Sequence, residues 1–189
     1  MSTMTARDFE ARYRRELDPW SYATSAYERA KYAATLQACG PGPFERALEL
    51  GGSIGVFSAQ LAPRCRRLVS LDFAPTAVEL AHAALARFPR AEATSGAVPD
   101  DMPDGPFDLV VASEILYYLS ERRLATTLAK LEGRLASGGR LVCVHWIPGG
   151  AERPLLAQEV HAVVGRQRWL AHDHSASTAD YLLDVFSRR

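Results

Sequence analysis

Long hydrophobic runs, paired cysteines and a surplus of either charge are all missing from this chain, and each absence excludes a class of protein. No apolar stretch approaches the ~18 residues of a membrane span, so no membrane insertion is expected. The opening "MSTMTARDFEARYRRELD" is charged and lacks the apolar centre of a secretory leader. The three cysteines, Cys39, Cys65 and Cys143, are odd in number, far apart and outside any CxxC or Cys/His spacing. A disulfide framework or zinc site is therefore not expected, nor any other metal, and the expected compartment is the reducing cytoplasm. The 22 basic and 22 acidic residues cancel. A nucleic-acid surface usually leaves a basic excess, so no nucleic-acid partner is expected.

What is present reads as one α/β domain, 189 residues long with ordinary apolar content. Residues 1–40 form a helical preamble. "RDFEARYRREL" (7–17) has helical potential and many charges, with "RYRR" (12–15) read as a solvated face. "DPW" breaks it, and "SAYERAKYAATLQAC" (25–39) carries Tyr27, Ala30, Ala34 and Leu36 at helical spacing until "GPGP". From residue 44 to 189 strands and helices alternate. "RALEL" (46–50), "RLVSLD" (67–72), "AEATSG" (91–96), "FDLVVASEI" (107–115) and "RLVCVHWI" (140–147) read as strands. Helices are expected at 55–62, 74–88, 122–136 (ended by the "SGG" at 137–139) and 154–164, with two closing strands near 167–174 and 180–187. The continuously apolar "LVV" and "LVCV" fit parallel strands covered on both faces. The expectation is a doubly wound, mostly parallel seven-stranded sheet, Rossmann-like, with an antiparallel last strand and a helical lid.

Ligands in such sheets bind beyond the carboxyl ends of the strands. After the first strand comes Gly51-Gly52-Ser53-Ile54-Gly55. A dinucleotide GxGxxG does not fit: from Gly51 the later slots hold Ser53 and Val56, and from Gly52 they hold Ile54 and Phe57. No GK[ST] follows for a phosphate loop. After the second strand Asp72 has the chemistry to accept two ribose hydroxyls, or alternatively to cap the following helix, and Phe73 beside it could lie on an adenine ring. The third strand ends at Gly96, Ala97 and Val98, the fourth at Ser113 and Glu114 followed by Tyr117 and Tyr118, and the fifth at His145-Trp146.

The stretch Glu49-Leu50-Gly51-Gly52-Ser53-Ile54-Gly55 resembles the E/D-x-G-x-G-x-G motif of class I S-adenosylmethionine-dependent methyltransferases, with Ser53 in the middle glycine slot. "DPWSYATSAYERAKYAATLQA", "FERALELGGSIGVFSAQLAPRCRRLVSLDFAP", "FDLVVASEILYYL" and "DYLLDVFSRR" together resemble the NodS-like group of that superfamily across nearly the whole chain. Members of that group commonly carry cysteine after the first motif glycine, where this chain has Gly52. The resemblance implies S-adenosylmethionine as cofactor and N-methylation of the free amine of a glucosamine-containing oligosaccharide or related small molecule. It implies cofactor contacts from Glu49, Gly51, Gly52, Ser53, Gly55, Asp72, Phe73, Ser113 and the Gly96–Val98 loop. A lid would add Trp20, Tyr22, Tyr27 and Lys31: the aromatic faces suit a cationic sulfonium, and Lys31 or a tyrosine hydroxyl would hold the cofactor carboxylate. Glu114 is expected to orient or deprotonate the acceptor, with His145 as its partner and Tyr117 and Tyr118 shaping the pocket. The open alternatives are an oxygen acceptor on the same fold, a nicotinamide-dependent oxidoreductase, and a cofactor-binding protein without turnover. Either a monomer or a homodimer fits the sequence.

Overall fold

The computed structural model describes residues 4–148 and 152–189, so the first residues of the expected 1–40 lid lie outside the described part. Two helices come first: α1 (Ala6–Arg15), opened by a Thr5/Asp8 capping box, and α2 (Ala26–Cys39), capped by Ser25. Then β1 (Ala47–Leu50), α3 (Val56–Leu61), β2 (Leu68–Asp72), α4 (Pro75–Leu85), β3 (Ala91–Ser95) and β4 (Phe107–Ser113) alternate. A short 3-10 turn at Leu116–Tyr118 leads into α5 (Glu121–Arg134), followed by β5 (Leu135–Trp146), α6 (Ala157–Gly165), β6 (Leu170–Ser175) and β7 (Tyr181–Arg188). Among the described residues no helix is long and apolar enough to cross a membrane.

The seven strands form one sheet in the order β3-β2-β1-β4-β5-β7-β6. The neighbours from β3 to β5 pair in parallel, and β7 runs antiparallel to both β5 and β6, as expected for the last strand. The switch between β1 and β4 leaves a crevice at the carboxyl end of the sheet.

The expected glycine cap after α5 is not what the structure holds. The helix ends at Arg134 with extended Leu135 as its cap, and Ser137-Gly138-Gly139 belong to the irregular start of β5. Phe107 pairs with Leu135 and Leu109 with Arg140, so the extra residues bulge out there, with Gly138 at φ +71°. Helix α6 likewise begins at Ala157 rather than at 154.

Strand parity sorts the core into two layers. Leu141, Cys143 and Phe186 pack with Leu128 of α5 and Val160 of α6. Val142, Val144 and Val185 pack on the other face with Tyr32 of α2, Phe57 of α3 and Val78 of α4. Helix α1 lies outside this second layer, where Tyr13 packs with Ala74 and Ala77 of α4.

The turn after β1 is built around close approach. A Cβ on Gly52 would stand 1.8 Å from Ser70 Oγ, and Gly55, at φ +79°, would place one 2.8 Å from Ala81 Cα of α4. Gly55 is therefore a packing residue between α3 and α4. Beneath the turn the Glu49 carboxylate is buried, 3% exposed, and bonds Ser58 Oγ of α3, which lies 3.0 Å from Ser70 Oγ of β2. Burial pushes the Glu49 carboxyl up to about 7 against the bonds from Ser58 and Ser70.

This sets a sign for stability. The folded chain holds the Glu49 proton where the unfolded chain releases it, from its ordinary value near 4.5 up to about 7. Stability falls as pH rises through that window, by up to roughly 3 kcal/mol at ~1.4 kcal/mol per unit, and is level above it. Urea unfolding of wild type and Glu49→Gln between pH 4 and pH 8 checks this: the difference between the two curves should grow in favour of the variant across the window.

Candidate active site

A cavity of about 300 Å³ opens over the carboxyl ends of β1, β2 and β4, at the lower end of ordinary ligand-site volumes. Its floor includes Gly51 and Ser53 of the turn after β1 and Asp72 and Phe73 at the end of β2. Ser53, in the middle glycine slot, sits at φ +50°, a conformation costing roughly 1–3 kcal/mol for a residue with a Cβ. Its surroundings hold it there. The Ser53 N–H donates to Asp72 Oδ2 at 2.9 Å, and its hydroxyl shares a 2.6 Å hydrogen bond with Tyr13 of α1. Asp72 Oδ1 accepts from the Ala74 N–H at 3.0 Å, at the start of α4. The helix-entry role and a place on the cavity wall thus coincide in Asp72. Burial raises its carboxyl above the usual range, and the amides of Ala74, Ser53 and Phe73 oppose that.

The roof comes from the first two helices and the segment between them. Phe9 and Tyr13 of α1 border the cavity, as do Trp20, Tyr22, Tyr27 and Lys31. Phe9 meets Phe73 and Tyr118 edge-on at 5.4 and 5.0 Å, and Trp20 stacks on Tyr22 at 5.7 Å, so the roof and floor are joined by aromatic contacts.

At the far end stands Glu114, at φ +56° just after β4. Its Oε1 accepts from Lys31 Nζ at 2.7 Å; its Oε2 accepts from the Tyr117 hydroxyl and from the Trp146 N–H at 3.1 Å. Burial and then the Glu114 charge push the Tyr117 phenol far up, so it stays a donor. Lys31, 2% exposed, also reaches Glu28 Oε1 at 3.0 Å. Among the described residues, the buried Tyr27 hydroxyl and Glu28 Oε2 meet no hydrogen-bond partner. Burial raises the Glu28 carboxyl, and Lys31 opposes the rise. At the mouth the Arg153 guanidinium lies 4.3 Å from the Tyr117 ring centroid and 4.8 Å from that of Trp146. Among the described lining residues Glu28, Asp72, Glu114 and Glu152 carry carboxylates against two cations, Lys31 and Arg153, amid nine aromatic rings. Such a surface favours a positively charged ligand.

The strand ends and the lid that the resemblance implied together account for most of this wall. Trp20, Tyr22, Tyr27 and Lys31 border the cavity, as do Gly51, Ser53, Asp72 and Phe73, and then Glu114, Tyr117 and Tyr118. Glu49, Gly52 and Ser113 border instead an adjoining void of about 30 Å³ that shares Tyr22, Ser53 and Glu114 with the main cavity.

Five expected residues lie elsewhere. Gly55 is packed against α4. Val98 is buried in the α5-side core, and the Gly96–Val98 segment is drawn away by its own bonds: Asp101 accepts from Ala97 N–H at 2.9 Å, and a Cβ on Gly96 would stand 2.6 Å from Asp101 Cβ. His145 is wholly buried and does not partner Glu114; it has the parity of Leu141 and Cys143, so it faces α6 and does not line the cavity. Six lining residues were not anticipated: Phe9, Tyr13, Glu28, Ile115, Glu152 and Arg153. The 12–15 segment is not simply a charged face, because Tyr13 within it is 3% exposed. The Phe9/Tyr13 pair, four apart on one helix, was the available signal.

With this geometry in view, comparison with known proteins places the chain. The family model described as Nodulation protein S (NodS) matches residues 4–164. The chain belongs to the NodS family. Nodulation protein S from Rhizobium tropici is 34% identical over 129 residues, 66% of this chain and 53% of the relative. Nodulation protein S from Bradyrhizobium diazoefficiens is 32% identical over 139 residues, 68% of this chain and 66% of the relative. The chain thus spans about half to two thirds of these NodS relatives. Its fold is that of the crystal structure of N-methyltransferase NodS from Bradyrhizobium japonicum WM9 in complex with S-adenosyl-L-homocysteine, at TM-score 0.86 and 24% identity over 98% of this chain and 99% of that one. A solved structure from Pseudomonas syringae is 36% identical, with TM-score 0.77 over 87% of this chain and all of that one.

The cluster around Lys31 makes a direct prediction for this NodS family member. Lys31→Met leaves Glu28 and Glu114 buried without their cation. Uncompensated buried charge costs about 3–5 kcal/mol, which denaturant unfolding at neutral pH measures as a lowered midpoint; an unchanged midpoint would show that water already screens the pair.

Proposed function

We propose that this chain is an S-adenosylmethionine-dependent N-methyltransferase whose acceptor is the free amine of a glucosamine-containing oligosaccharide or a related small amine. The observation that carries the reading is the cavity itself: a glycine turn and the Asp72 carboxylate at the carboxyl ends of β1 and β2, facing an aromatic, carboxylate-rich wall that ends at Glu114. Membership of the NodS family supports it, as does the bound S-adenosyl-L-homocysteine of the Bradyrhizobium japonicum structure.

The residues present fit that cofactor. Asp72 spends one lone pair per oxygen on backbone amides and keeps acceptor capacity for ribose hydroxyls. Phe73 offers a flat apolar face for a purine. The two unpartnered atoms, Glu28 Oε2 and the Tyr27 hydroxyl, are acceptors waiting for N–H donors of the kind an ammonium carries. Trp20 and Tyr22 supply the ring faces that stabilise a sulfonium. When bound, the cofactor supplies a methyl carbon activated by positively charged sulfur, open to displacement by a neutral amine.

The chain's part is positioning and proton handling. Glu114 is fixed from three sides by Lys31, Tyr117 and the Trp146 amide, which sets its carboxylate without a search through rotamers. Held so, it orients the acceptor nitrogen and takes the proton that the nitrogen must lose. The roof formed by α1 and the Trp20–Tyr22 stack excludes water from the reacting atoms.

Transfer of labelled methyl from S-adenosylmethionine to a chitooligosaccharide bearing one free amine tests this. The fully N-acetylated oligosaccharide should stay unlabelled, and Glu114→Gln should lower kcat by about 100-fold with the cofactor still bound. Label appearing on the acetylated sugar would move the acceptor from nitrogen to oxygen.

A further inference from the structure

On the face of the sheet that packs against α5 and α6, a file of side chains runs from β7 to the turn that carries Glu114. The Leu116 N–H donates to His145 Nε2 at 3.2 Å, His145 Nδ1 lies 3.0 Å from His161 Nε2, and His161 Nδ1 lies 2.6 Å from Asp184 Oδ2. His145 is 0% exposed and His161 7%. Asp184 is anchored further by His172 Nε2 at 2.8 Å and by the Ser175 hydroxyl, both from β6. One file therefore links β6, β7, α6, β5 and the turn after β4.

The donors fix every tautomer. An amide N–H can only donate, so His145 Nε2 carries no proton and the neutral ring keeps its proton on Nδ1. That proton points at His161 Nε2, which must accept it. His161 then carries its own proton on Nδ1 and donates it to Asp184. On the two buried rings an added proton has nowhere to sit without breaking a link: on His161 it opposes the His145 N–H, and if His145 yields by moving its proton to Nε2, that proton opposes the Leu116 N–H.

The turn needs such a restraint. Glu114 holds φ +56°, which a residue with a Cβ keeps only when its surroundings impose it. Leu116 lies two residues on, and the next residue, Tyr117, donates to Glu114 and packs edge-on against the His145 ring at 5.0 Å. We propose that His145, His161 and Asp184 are positioning residues that hold the 114–118 turn, and with it Glu114 and Tyr117, in the arrangement methyl transfer requires, and that the hold fails when the file takes up a proton. The inference rests on the methyltransferase reading for its catalytic consequence and on geometry alone for the hold.

The groups facing His145 all act in one direction. Burial first, then His161 from α6, Lys31 from α2 and Arg153 from the segment before α6, push its imidazole well below the usual value. At the other end burial works against ionised Asp184, but bonds from His161, Ser175 and His172 outweigh it and hold that carboxyl well below its usual range. His145 is thus neutral when folded at neutral pH. Its contribution to stability is lost as pH falls below about 6.5, where an unfolded histidine gains a proton and the folded one resists.

Histidine-ring nitrogen NMR and amide hydrogen exchange at Leu116 read the hold without any turnover. At neutral pH both rings should show protonated Nδ1 and bare Nε2. His145→Leu should speed Leu116 exchange at least about tenfold and lower kcat about 100-fold, with S-adenosylhomocysteine affinity unchanged within about twofold. His145→Gln keeps an acceptor oxygen near the Nε2 position but no titrating ring. It should restore slow exchange and most of kcat, and leave Leu116 protection insensitive to imidazole titration. If the His145→Leu chain does not fold, His161→Phe cuts the file one link away and should give the same faster exchange. A bare Nδ1 on His145, or Leu116 exchange as slow in His145→Leu and His161→Phe as in wild type, overturns the proposal. Slow Leu116 exchange that the variants release, in a wild type that transfers no methyl group to the amine-bearing oligosaccharide, supports the hold and overturns the methyltransferase reading.

Discussion

Glu114 is where the structure converges. Its carboxylate joins Lys31 of α2, the phenol of Tyr117 and the backbone of Trp146 at the end of β5, three parts of the chain that no sequence-local force brings together. The arrangement is costly in two ways, through a left-handed backbone and through three partly or wholly buried charges, Glu28, Lys31 and Glu114. Its value lies in determinacy. A side chain bonded from three directions has one orientation, and the second helix cannot move off the sheet without stranding a carboxylate. The placement of Glu114 and the position of α2 are therefore one property of this chain.

The sheet divides labour between its faces. Even-numbered residues of β5 such as Val142 and Val144 look toward α2 and the helices under the turn after β1, while Leu141, Cys143 and His145 look toward α5 and α6. The cavity belongs to the carboxyl edge, and the histidine file approaches the same turn from behind. Ser53 shows a related economy at the other end: a serine in a glycine slot is held left-handed by the Asp72 carboxylate, and its hydroxyl ties α1 down through Tyr13.

The alternating α/β sheet and the strand-end part of the cavity wall were legible in the sequence because they follow from alternation and from what stands after each apolar run, whereas Trp20 to Lys31 came from the family resemblance. Asp72 and Glu114 are found by counting to strand ends. His145 was misplaced because ending a strand says nothing about which face a side chain takes; its parity with Leu141 and Cys143 held that information. The Gly96–Val98 loop was misjudged because Asp101 folds back on it, a bond that spacing alone does not announce. Tyr13 and Phe9 were hidden among arginines: Arg14 is exposed, but Arg12 lies over the Trp20 ring, so charge density concealed an aromatic face. The glycines after α5 looked like a cap, and only the pairing of Leu135 with Phe107 shows that the strand has already begun.

The account's central claim is that the wall built by the turn after β1 and by Asp72 receives an adenosyl sulfonium cofactor. Calorimetric titration of S-adenosylhomocysteine and of NADH into the same protein, with Asp72→Ala alongside, tests it most directly. The account predicts that S-adenosylhomocysteine alone binds, and that the variant loses about tenfold or more in affinity with the ribose contacts. Binding of NADH alone, or S-adenosylhomocysteine affinity indifferent to Asp72, would contradict it.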